Sequence, residues 1–411
     1  MHSTTAGALA GLRVLDVSQV MAGPYCAMLL ADMGADVIKI EPPDGDMTRR
    51  MPGAVGTDTP AYNAVNRGKR SVVLNLKAKT GRDALVRLSA GADVLVENSR
   101  PGVMAGLGLD YAALAPASPR LIYASISGYG QTGPSRAKGG LDLIAQGVSG
   151  IMSVTGAPEG APMKAGVPLT DLGAALFAVT GILAALIHRG RTGVGQYVDT
   201  SLVEAGVALS VWEATEYFSG AGVPGPLGSA HRMVAPYQAI ECADGYVTIG
   251  ASNNRLFERL CDALGHPEWA NMPEFADNAS RVRNRGALAE RIESVTRGRS
   301  RREWLKAFEG RDVPCGPINT YAEAFEHPQI VARDMVVPVE HPTLGPLRTL
   351  GSPVKLSATP AQVNRRAPHL GEHTAEVLRE AGFTDAMVVE LMGNGLSSSP
   401  AGATATAPGL P

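Results

Sequence analysis

Short apolar segments alternate with helical patterns through the first two hundred residues of the chain. Each segment has the length of a strand, and polar or glycine-rich turns separate it from the next helical pattern. Strands joined by helical crossovers form parallel sheets with both faces covered. The pattern predicts an α/β fold with ligands at the carboxyl ends of its strands. The predicted strands are residues 12–17, 36–40, 71–76, 93–96 and 121–126.

The composition changes near residue 220, where glycine and proline become frequent. We interpret residues 206–229 as a linker between a large domain, residues 1–205, and a smaller α+β domain, residues 230–332. In the smaller domain an Ala-Asp-Gly turn at 243–245 lies between two β-like segments and predicts a hairpin. The low-complexity segment 391–411 is predicted to be a disordered tail.

Bulk composition excludes several classes of protein. The net charge is −2 and charges of both signs are interspersed, so we expect neither a nucleic-acid partner nor a membrane partner. The apolar stretch 172–187 is too short for a membrane span and predicts a buried helix. The four cysteines show no CxxC or metal-ligand spacing, and the N-terminus shows no signal-peptide pattern. We therefore expect free thiols and a cytoplasmic protein.

Asp171 is the last charged residue before this apolar stretch. A carboxylate in the first turn of a helix is favoured by unpaired N–H groups and by the helix dipole. The structural interpretation is that Asp171 caps the helix, with Thr170 as the alternative cap. The chemical interpretation depends on the rest of the chain.

Other motifs carry less information. Residues 128–133 match GxGxxG, but a loop follows them where a dinucleotide-binding fold requires a helix. The chain has no P-loop, HExxH or GxSxG motif, and we expect no bound metal. Cys315 in a Pro/Gly turn is a weak candidate nucleophile. Among the scattered histidines, His231 after the linker is a candidate substrate contact.

Several segments together resemble the family III CoA-transferases, the group of formyl-CoA and crotonobetainyl-CoA transferases of the CaiB/BaiF type. The resemblance runs from about residue 11 to about residue 383, and it is carried by the order and spacing of the motifs. They include LRVLDVSQVMAGPYCAMLLADMGADVIKIEPP, NRGKRSVVLNLK, DVLVENSRPGVMAGLGLDY, LIYASISGYGQTGP and KAGVPLTDLGAALFAVTGILAAL.

The resemblance implies a Rossmann-like large domain built from both chain ends, with residues 333–390 returning to it. It also implies an interlocked homodimer and CoA as substrate, with no permanently bound cofactor. Asp171 matches the family's nucleophile, which forms an anhydride with the donor acyl group and then a thioester with CoA. A carboxylate can perform such nucleophilic catalysis, which divides one difficult exchange into easier steps.

The residues that match CoA-contacting positions follow the predicted strands. They are Met21, Ala22, Leu74, Asn75, Leu76, Lys77, Asn98, Ser99 and Arg100. Some formyl-CoA transferases have glutamine at the position of Met21, so this chain departs from a formyl/oxalate enzyme. Asp142 matches an acidic residue close to the nucleophile, and its structural alternative is a second helix cap.

Two basic positions of some family members are Pro42 and Gly106 here. Arg100, Lys138 or Arg49 could supply the missing charge for the CoA phosphates. The acceptor is expected to be a small dicarboxylic or hydroxy acid. His231 and Arg232 are candidate anchors for its distal carboxylate.

Two other functions remain as alternatives. The 2-methylacyl-CoA racemases share the fold implied by the resemblance, but they carry a histidine directly before the acid that matches Asp142. That position is Leu141, which cannot move a proton. A non-catalytic CoA-binding role is the second alternative, and the intact nucleophile and CoA loops argue against it.

Overall fold

The computed structural model describes residues 7–55, 58–363 and 365–396. The strands are β1 (Arg13–Asp16), β2 (Asp36–Glu41), β3 (Arg70–Val73), β4 (Val94–Glu97), β5 (Ile122–Ser127), β6 (Tyr197–Ser201), β7 (Tyr237–Cys242), β8 (Gly245–Gly250), β9 (Cys315–Pro317), β10 (Val336–His341) and β11 (Gly345–Leu350). The first ten helices are α1 (Ala22–Asp32), α2 (Pro60–Asn66), α3 (Lys79–Ala90), α4 (Val103–Leu107), α5 (Tyr111–Leu114), α6 (Asp142–Val148), α7 (Ile151–Val154), α8 (Leu169–Thr192), α9 (Leu202–Leu209) and α10 (Val211–Phe218). The other eight are α11 (Asn254–Leu264), α12 (Asn278–Arg283), α13 (Arg285–Thr296), α14 (Arg301–Glu309), α15 (Tyr321–Glu326), α16 (Pro328–Ala332), α17 (Thr374–Glu380) and α18 (Asp385–Leu396), and short 3₁₀ helices span Met47–Arg50 and Pro267–Asn271.

The first six strands form one parallel sheet in the order β3-β2-β1-β4-β5-β6. This is the order of doubly wound dinucleotide-binding folds. The order reverses direction between β1 and β4, where Val14 pairs with Val94. In such sheets the crevice at the reversal, outside the carboxyl ends of the strands, is the usual place for a ligand.

The five strands predicted from the apolar segments are all present in this sheet. The sixth, β6, was not predicted. It is an edge strand with only Ser201 fully buried, so it lacks the apolar run that marks a central strand.

Both faces of the sheet are buried. Val14, Val94 and Ile122 lie in a core that also contains residues of α1 and α8. Their neighbours in the strands point to the opposite face, into a core that contains residues of α3, α17 and α18. The alternation of side chains along each strand explains why both faces need helices.

Helix α8 is the buried helix predicted from the apolar stretch. By length and composition it could cross a membrane, with a mean hydropathy of 1.9 in its most apolar window, of which 44% is buried. The core helix of a soluble protein passes the same test. Ala174, Ala178 and Ile182 are fully buried in the core beside the sheet, so we interpret α8 as a core helix.

The chain divides into two compact units. The first comprises the described residues of Met1–Ser149, Gly166–Val211 and Val331–Pro411. The second comprises Gly150–Ala165 and Trp212–Ile330. In the second unit the predicted hairpin is present as antiparallel β7 and β8, with Cys242 paired to Gly245, and β9 joins β8. Helices α11, α13 and α14 pack their apolar residues into the core of this unit.

Two boundary predictions are corrected. Residues 206–209 and 211–218 of the predicted linker are helical, since they belong to α9, which buries Gly206, and to α10. The predicted disordered tail, residues 391–411, begins inside α18, since Leu391 is buried in the core. Residues 397–411 lie outside the described part of the chain.

Gly195, in the loop between α8 and β6, packs closely against the backbone of Leu121. A Cβ on Gly195 would lie 2.1 Å from the Leu121 carbonyl oxygen, so Gly195→Ala should destabilise the protein by about 1–3 kcal/mol. Gly393 in α18 has open space around its Cβ position, and Gly393→Ala should stabilise by about 0.5–1 kcal/mol. Urea denaturation of both variants measures the difference, and equal effects of the two substitutions would contradict it.

Candidate active site

Asp171 is the third residue of α8, which begins at Leu169 after Pro168. Pro168 has no side chain able to cap the helix, and Asp171 makes no capping hydrogen bond. The prediction that Asp171 or Thr170 caps α8 is therefore wrong. Within the described residues no hydrogen bond or ion pair engages the half-buried carboxylate of Asp171, which leaves its oxygens available to an incoming group.

The cap of α8 comes from another helix. Asp142, the first residue of α6, accepts hydrogen bonds at Oδ1 from the Thr170 N–H (2.9 Å) and the Thr170 hydroxyl (2.7 Å). Its Oδ2 accepts from the Gln146 amide at 2.7 Å. The suggestion that Asp142 caps its own helix is also wrong, because Leu141 occupies the cap position of α6. Asp142 instead satisfies a donor at the start of α8.

The two carboxylates influence each other. Burial, followed by the negative charge of Asp142, raises the pKa of Asp171 to about 6. Three hydrogen bonds, from Gln146 and Thr170, hold the Asp142 carboxylate in this position. Asp171 is therefore mostly ionised at neutral pH, and its basicity is higher than that of an ordinary aspartate. Sequence reasoning did not identify Gln146, since a single glutamine in a helix gives no signal.

The loops after β1 and β4 meet where the strand order reverses. Asn98 accepts from the Gln19 N–H at 2.8 Å and donates to the Gln19 carbonyl oxygen at 2.7 Å. The Ser99 N–H donates to the buried Glu97 carboxylate at 2.7 Å. Helix α1 starts from the first of these loops at Ala22, with Met21 as its cap residue. Four predicted CoA-contacting residues, Met21, Ala22, Asn98 and Ser99, thus lie at one point of the sheet edge.

Asp171 lies at the same edge for a topological reason. Crossover helices in parallel sheets run opposite to the strands, so each begins at the carboxyl ends. Helix α8 precedes β6 and α1 precedes β2 in this way. Ala22 at the start of α1 and Ala174 in the second turn of α8 lie in one core.

Residues 74–77 follow β3 along this edge. Leu74 is buried, while the Lys77 side chain is exposed and its ammonium makes no hydrogen bond or ion pair within the described residues. The Lys77 N–H donates to Asn75 Oδ1 at 3.1 Å, and Arg82 donates to the carbonyl oxygens of Leu76 and Lys77 at 3.2 and 2.8 Å. The loop is held through its backbone, and the Lys77 side chain extends into solvent.

The structure separates the three basic residues suggested for the CoA phosphates. Arg100 is exposed, and one of its terminal nitrogens is 3.0 Å from the position of a Cβ on Gly139, beside the exposed Lys138. Arg49 is buried and makes two hydrogen bonds to Glu41, at 2.7 and 2.8 Å. Arg49 is therefore excluded, because its charge is already neutralised inside the protein.

His231 and Arg232 lie in the second unit. The His231 ring stacks on Tyr237 and meets the edge of Trp212, and its Nδ1 accepts from the Met233 N–H at 3.1 Å. Burial, followed by the charge of Arg285, lowers the pKa of His231. The ring is thus neutral at pH 7, and its Nε2–H is a donor.

Arg232 is partly engaged by its own unit. Its Nε is 3.1 Å from Glu216, and its Nη2 donates to the Gly225 carbonyl oxygen at 2.7 Å. Arg285, which sequence reasoning missed, donates to the Arg232 carbonyl oxygen at 2.8 Å. Its buried Nε has no hydrogen-bond partner, and no ion pair engages it in the described residues.

One cluster has the residue types of a metal site. The ligand atoms of Asp58, His341 and His369 lie within 4.8 Å of one another. However, Nδ1 of His341 faces the N–H groups of Thr343 and Leu344, each at 3.3 Å, and must accept from them. Its Nε2 then carries the proton, which excludes a metal bond at that atom in this arrangement.

The comparisons with known proteins agree with this geometry. The family described as CoA-transferase family III matches residues 9–374. The human succinyl-CoA:glutarate CoA-transferase is 39% identical over 94% of this chain and 89% of its own length. The succinyl-CoA:mesaconate CoA-transferase of Haloarcula marismortui is 42% identical over 92% and 97%. A crystal structure of a CaiB/BaiF family protein from Brucella suis has a TM-score of 0.82 and 38% identity over 92% of this chain and 100% of that chain.

The chain therefore belongs to CoA-transferase family III, and its α/β fold is that of the CaiB/BaiF proteins. It is an enzyme whose class uses CoA thioesters as substrates. The resemblance seen in the sequence is confirmed.

The raised pKa of Asp171 predicts a pH dependence. Because only the ionised carboxylate attacks, kcat/KM for acyl-CoA should rise with pH through a midpoint at about 6 and level off above about pH 7. Asp142→Asn removes a negative charge and should move the midpoint to lower pH, while the larger effect of burial remains. Asp83→Asn, at an exposed ion pair with Lys79, is the control and should leave the midpoint in place. An unchanged or higher midpoint in Asp142→Asn would contradict the coupling.

Proposed function

We propose that this enzyme transfers CoA from a donor acyl-CoA to a small dicarboxylic acid through covalent intermediates on Asp171. The observation that carries the proposal is the unengaged carboxylate of Asp171 at the carboxyl edge of the sheet, in a chain of CoA-transferase family III. Relatives named for succinyl-CoA with glutarate or mesaconate support dicarboxylates on both sides of the exchange.

The first half-reaction releases the donor acid. A carboxylate oxygen of Asp171 attacks the thioester carbonyl, the C–S bond breaks and CoA thiolate leaves, which forms an acyl-aspartyl anhydride. The thiolate then attacks the aspartyl carbonyl carbon. The donor carboxylate leaves, and Asp171 carries CoA as a thioester.

The second half-reaction mirrors the first. The acceptor carboxylate attacks the aspartyl thioester and expels the thiolate, which forms a new anhydride. The thiolate attacks the acyl carbonyl of that anhydride, and this releases the new acyl-CoA and the Asp171 carboxylate. The activated bond is conserved throughout, so the exchange requires no ATP. Each anhydride hydrolyses readily, so water must be excluded from the site.

We propose that CoA binds along the loops after β1, β3 and β4. Met21, Ala22, Asn98 and Ser99 would line its reactive end, and residues 74–77 would follow its adenosine and phosphates. The exposed side chains of Lys77, Arg100 and Lys138 would supply positive charge to the phosphates.

A racemase is disfavoured by the residue before Asp142. Leu141 is 73% exposed at that position and has no proton to transfer.

A second copy of this chain is proposed to cover the helices beside Asp171. Helices α6, α8 and α9 pack on one another and expose large apolar side chains, which is unusual for a monomer. They are Leu141, Leu143, Ile144, Val148, Leu176, Phe177, Val207 and Leu209. A homodimer that covers them would also shield the anhydride from water.

The proposed location is the cytoplasm. All four cysteines are free, which supports a cytoplasmic location.

The central test is Asp171→Ala. We expect transfer to fall by about 1,000-fold or more, because the variant has no nucleophile. The control, Asp83→Ala, should keep full activity, and sedimentation velocity should show the same dimer for both variants. Wild-type enzyme treated with acyl-CoA alone should gain mass on the peptide that contains Asp171, and hydroxylamine should remove it. Most activity retained in Asp171→Ala, or no adduct during turnover, would refute the mechanism.

A guanidinium binds a carboxylate well. We propose that Arg285, Arg232 and the Nε2–H of His231 bind the distal carboxylate of the acceptor. Arg285→Gln should raise KM for a dicarboxylate acceptor by about 10-fold, and leave KM for a monocarboxylate of equal length unchanged. The control is Arg283→Gln, an exposed arginine bonded to Ser280. Equal changes for the two acceptors, measured by mass spectrometry of the products, would exclude this role.

A further inference from the structure

The backbone between β1 and α1 is bonded at successive positions. The Ser18 N–H donates to Asp16 at 3.1 Å, and the Ser18 carbonyl oxygen accepts from the Lys39 ammonium at 2.9 Å. Asn98 bonds both backbone groups of Gln19, at 2.8 and 2.7 Å. A loop with this many partners is held in one conformation.

The next residue, Val20, has a backbone conformation that its side chain disfavours. Its φ is +72°, in the left-handed region that β-branched residues almost never adopt. Such a conformation persists only where the surroundings impose it. The Val20 N–H faces both carboxylate oxygens of Asp46, at 3.4 and 3.3 Å.

Asp46 is itself fixed inside the protein. Its Oδ1 accepts from the N–H and the hydroxyl of Thr48, at 2.9 and 2.8 Å. Its Oδ2 is 3.0 Å from the Lys39 ammonium, and the side chains of both residues are completely buried. Asp46 therefore presents a fixed negative charge to the Val20 N–H.

Val20 controls the direction in which α1 begins. Met21 follows it as the cap residue of α1, and its side chain makes no capping hydrogen bond. The N–H groups of the first turn therefore face the carboxyl edge of the sheet without a side-chain cap from Met21, and Pro24 has no N–H. Backbone N–H groups in such a position can stabilise the oxyanion that forms when a thioester is attacked.

We propose that Asp46 and Lys39 are positioning residues for CoA transfer. They impose the left-handed conformation on Val20 and thereby orient the backbone of Met21 and Ala22 toward the reacting acyl group. This inference rests on the proposed transfer function and adds residues that touch neither substrate nor nucleophile.

The first experiment compares two buried aspartates. Asp46→Asn should lower kcat by about 10- to 100-fold, because a small displacement of a catalytic backbone has effects of that size, while KM for acyl-CoA changes less than about threefold. The control is Asp32→Asn at the opposite end of α1, where Asp32 accepts two hydrogen bonds from the buried Arg67, at 3.0 and 2.7 Å. It loses a buried ion pair too, and its kcat should stay within about twofold of wild type.

Hydrogen exchange provides a readout of the turn itself. The peptide that covers residues 18–21 should exchange faster in Asp46→Asn than in wild type, and should be unchanged in Asp32→Asn. Equal kcat values for the two variants, or equal protection of this peptide, would overturn the inference.

The second experiment is a rescue. Glycine adopts positive φ without a steric penalty, so Val20→Gly no longer needs Asp46 to impose the conformation. In the Asp46→Asn background, Val20→Gly should recover kcat at least about fivefold relative to Asp46→Asn alone, a non-additive effect expected of coupled residues. If Asp46→Asn alone does not fold, the double variant is compared with Val20→Gly. A folded but inactive double variant would overturn the inference, whereas activity in Asp171→Ala would overturn the transfer mechanism instead.

Discussion

A completely buried carboxylate at the end of the central strand is the interaction on which the sheet edge depends. Asp16 lies 2.7 Å from the Lys69 ammonium and 3.7 Å from that of Lys39, and none of the three is exposed. Burial alone would raise the pKa of Asp16, but the two lysines lower it to about 2. Removing one partner from such a cluster costs about 3–5 kcal/mol, since it leaves a buried charge unpaired. The cluster therefore joins three separate chain segments in one arrangement.

Asp171 in the first turn of α8 and Asp142 at the start of α6 have different roles in the site. Asp142 accepts hydrogen bonds from Thr170 and Gln146, so it caps α8, and its negative charge contributes to the raised pKa of Asp171. Asp171 has neither role and keeps its oxygens free. A carboxylate occupied as a cap would need to break hydrogen bonds before attack. The structure avoids this cost, because a neighbouring helix provides the cap.

The sequence predicted most of the sheet, because buried parallel strands have continuous apolar segments. It predicted the family through motif order and identified Asp171 by position. It did not predict β6, which is exposed at the edge, or the helices within residues 206–218. The cap assignments for Asp171 and Asp142 were wrong, since the true donor and acceptor are 28 positions apart in the chain. No local pattern reports a contact of that kind.

The burial of Lys39 could not be predicted from the sequence. This lysine stands in a strand, DVIKIE, whose alternation suggests a solvated lysine, yet its side chain is completely buried between carboxylates. Periodicity determined the α/β class, and the resemblance of ordered motifs indicated the family and singled out Asp171 in the first turn of α8. Only the tertiary structure decided which charges are paired and which are free, because burial and ion pairing arise from segments that meet only when the chain folds.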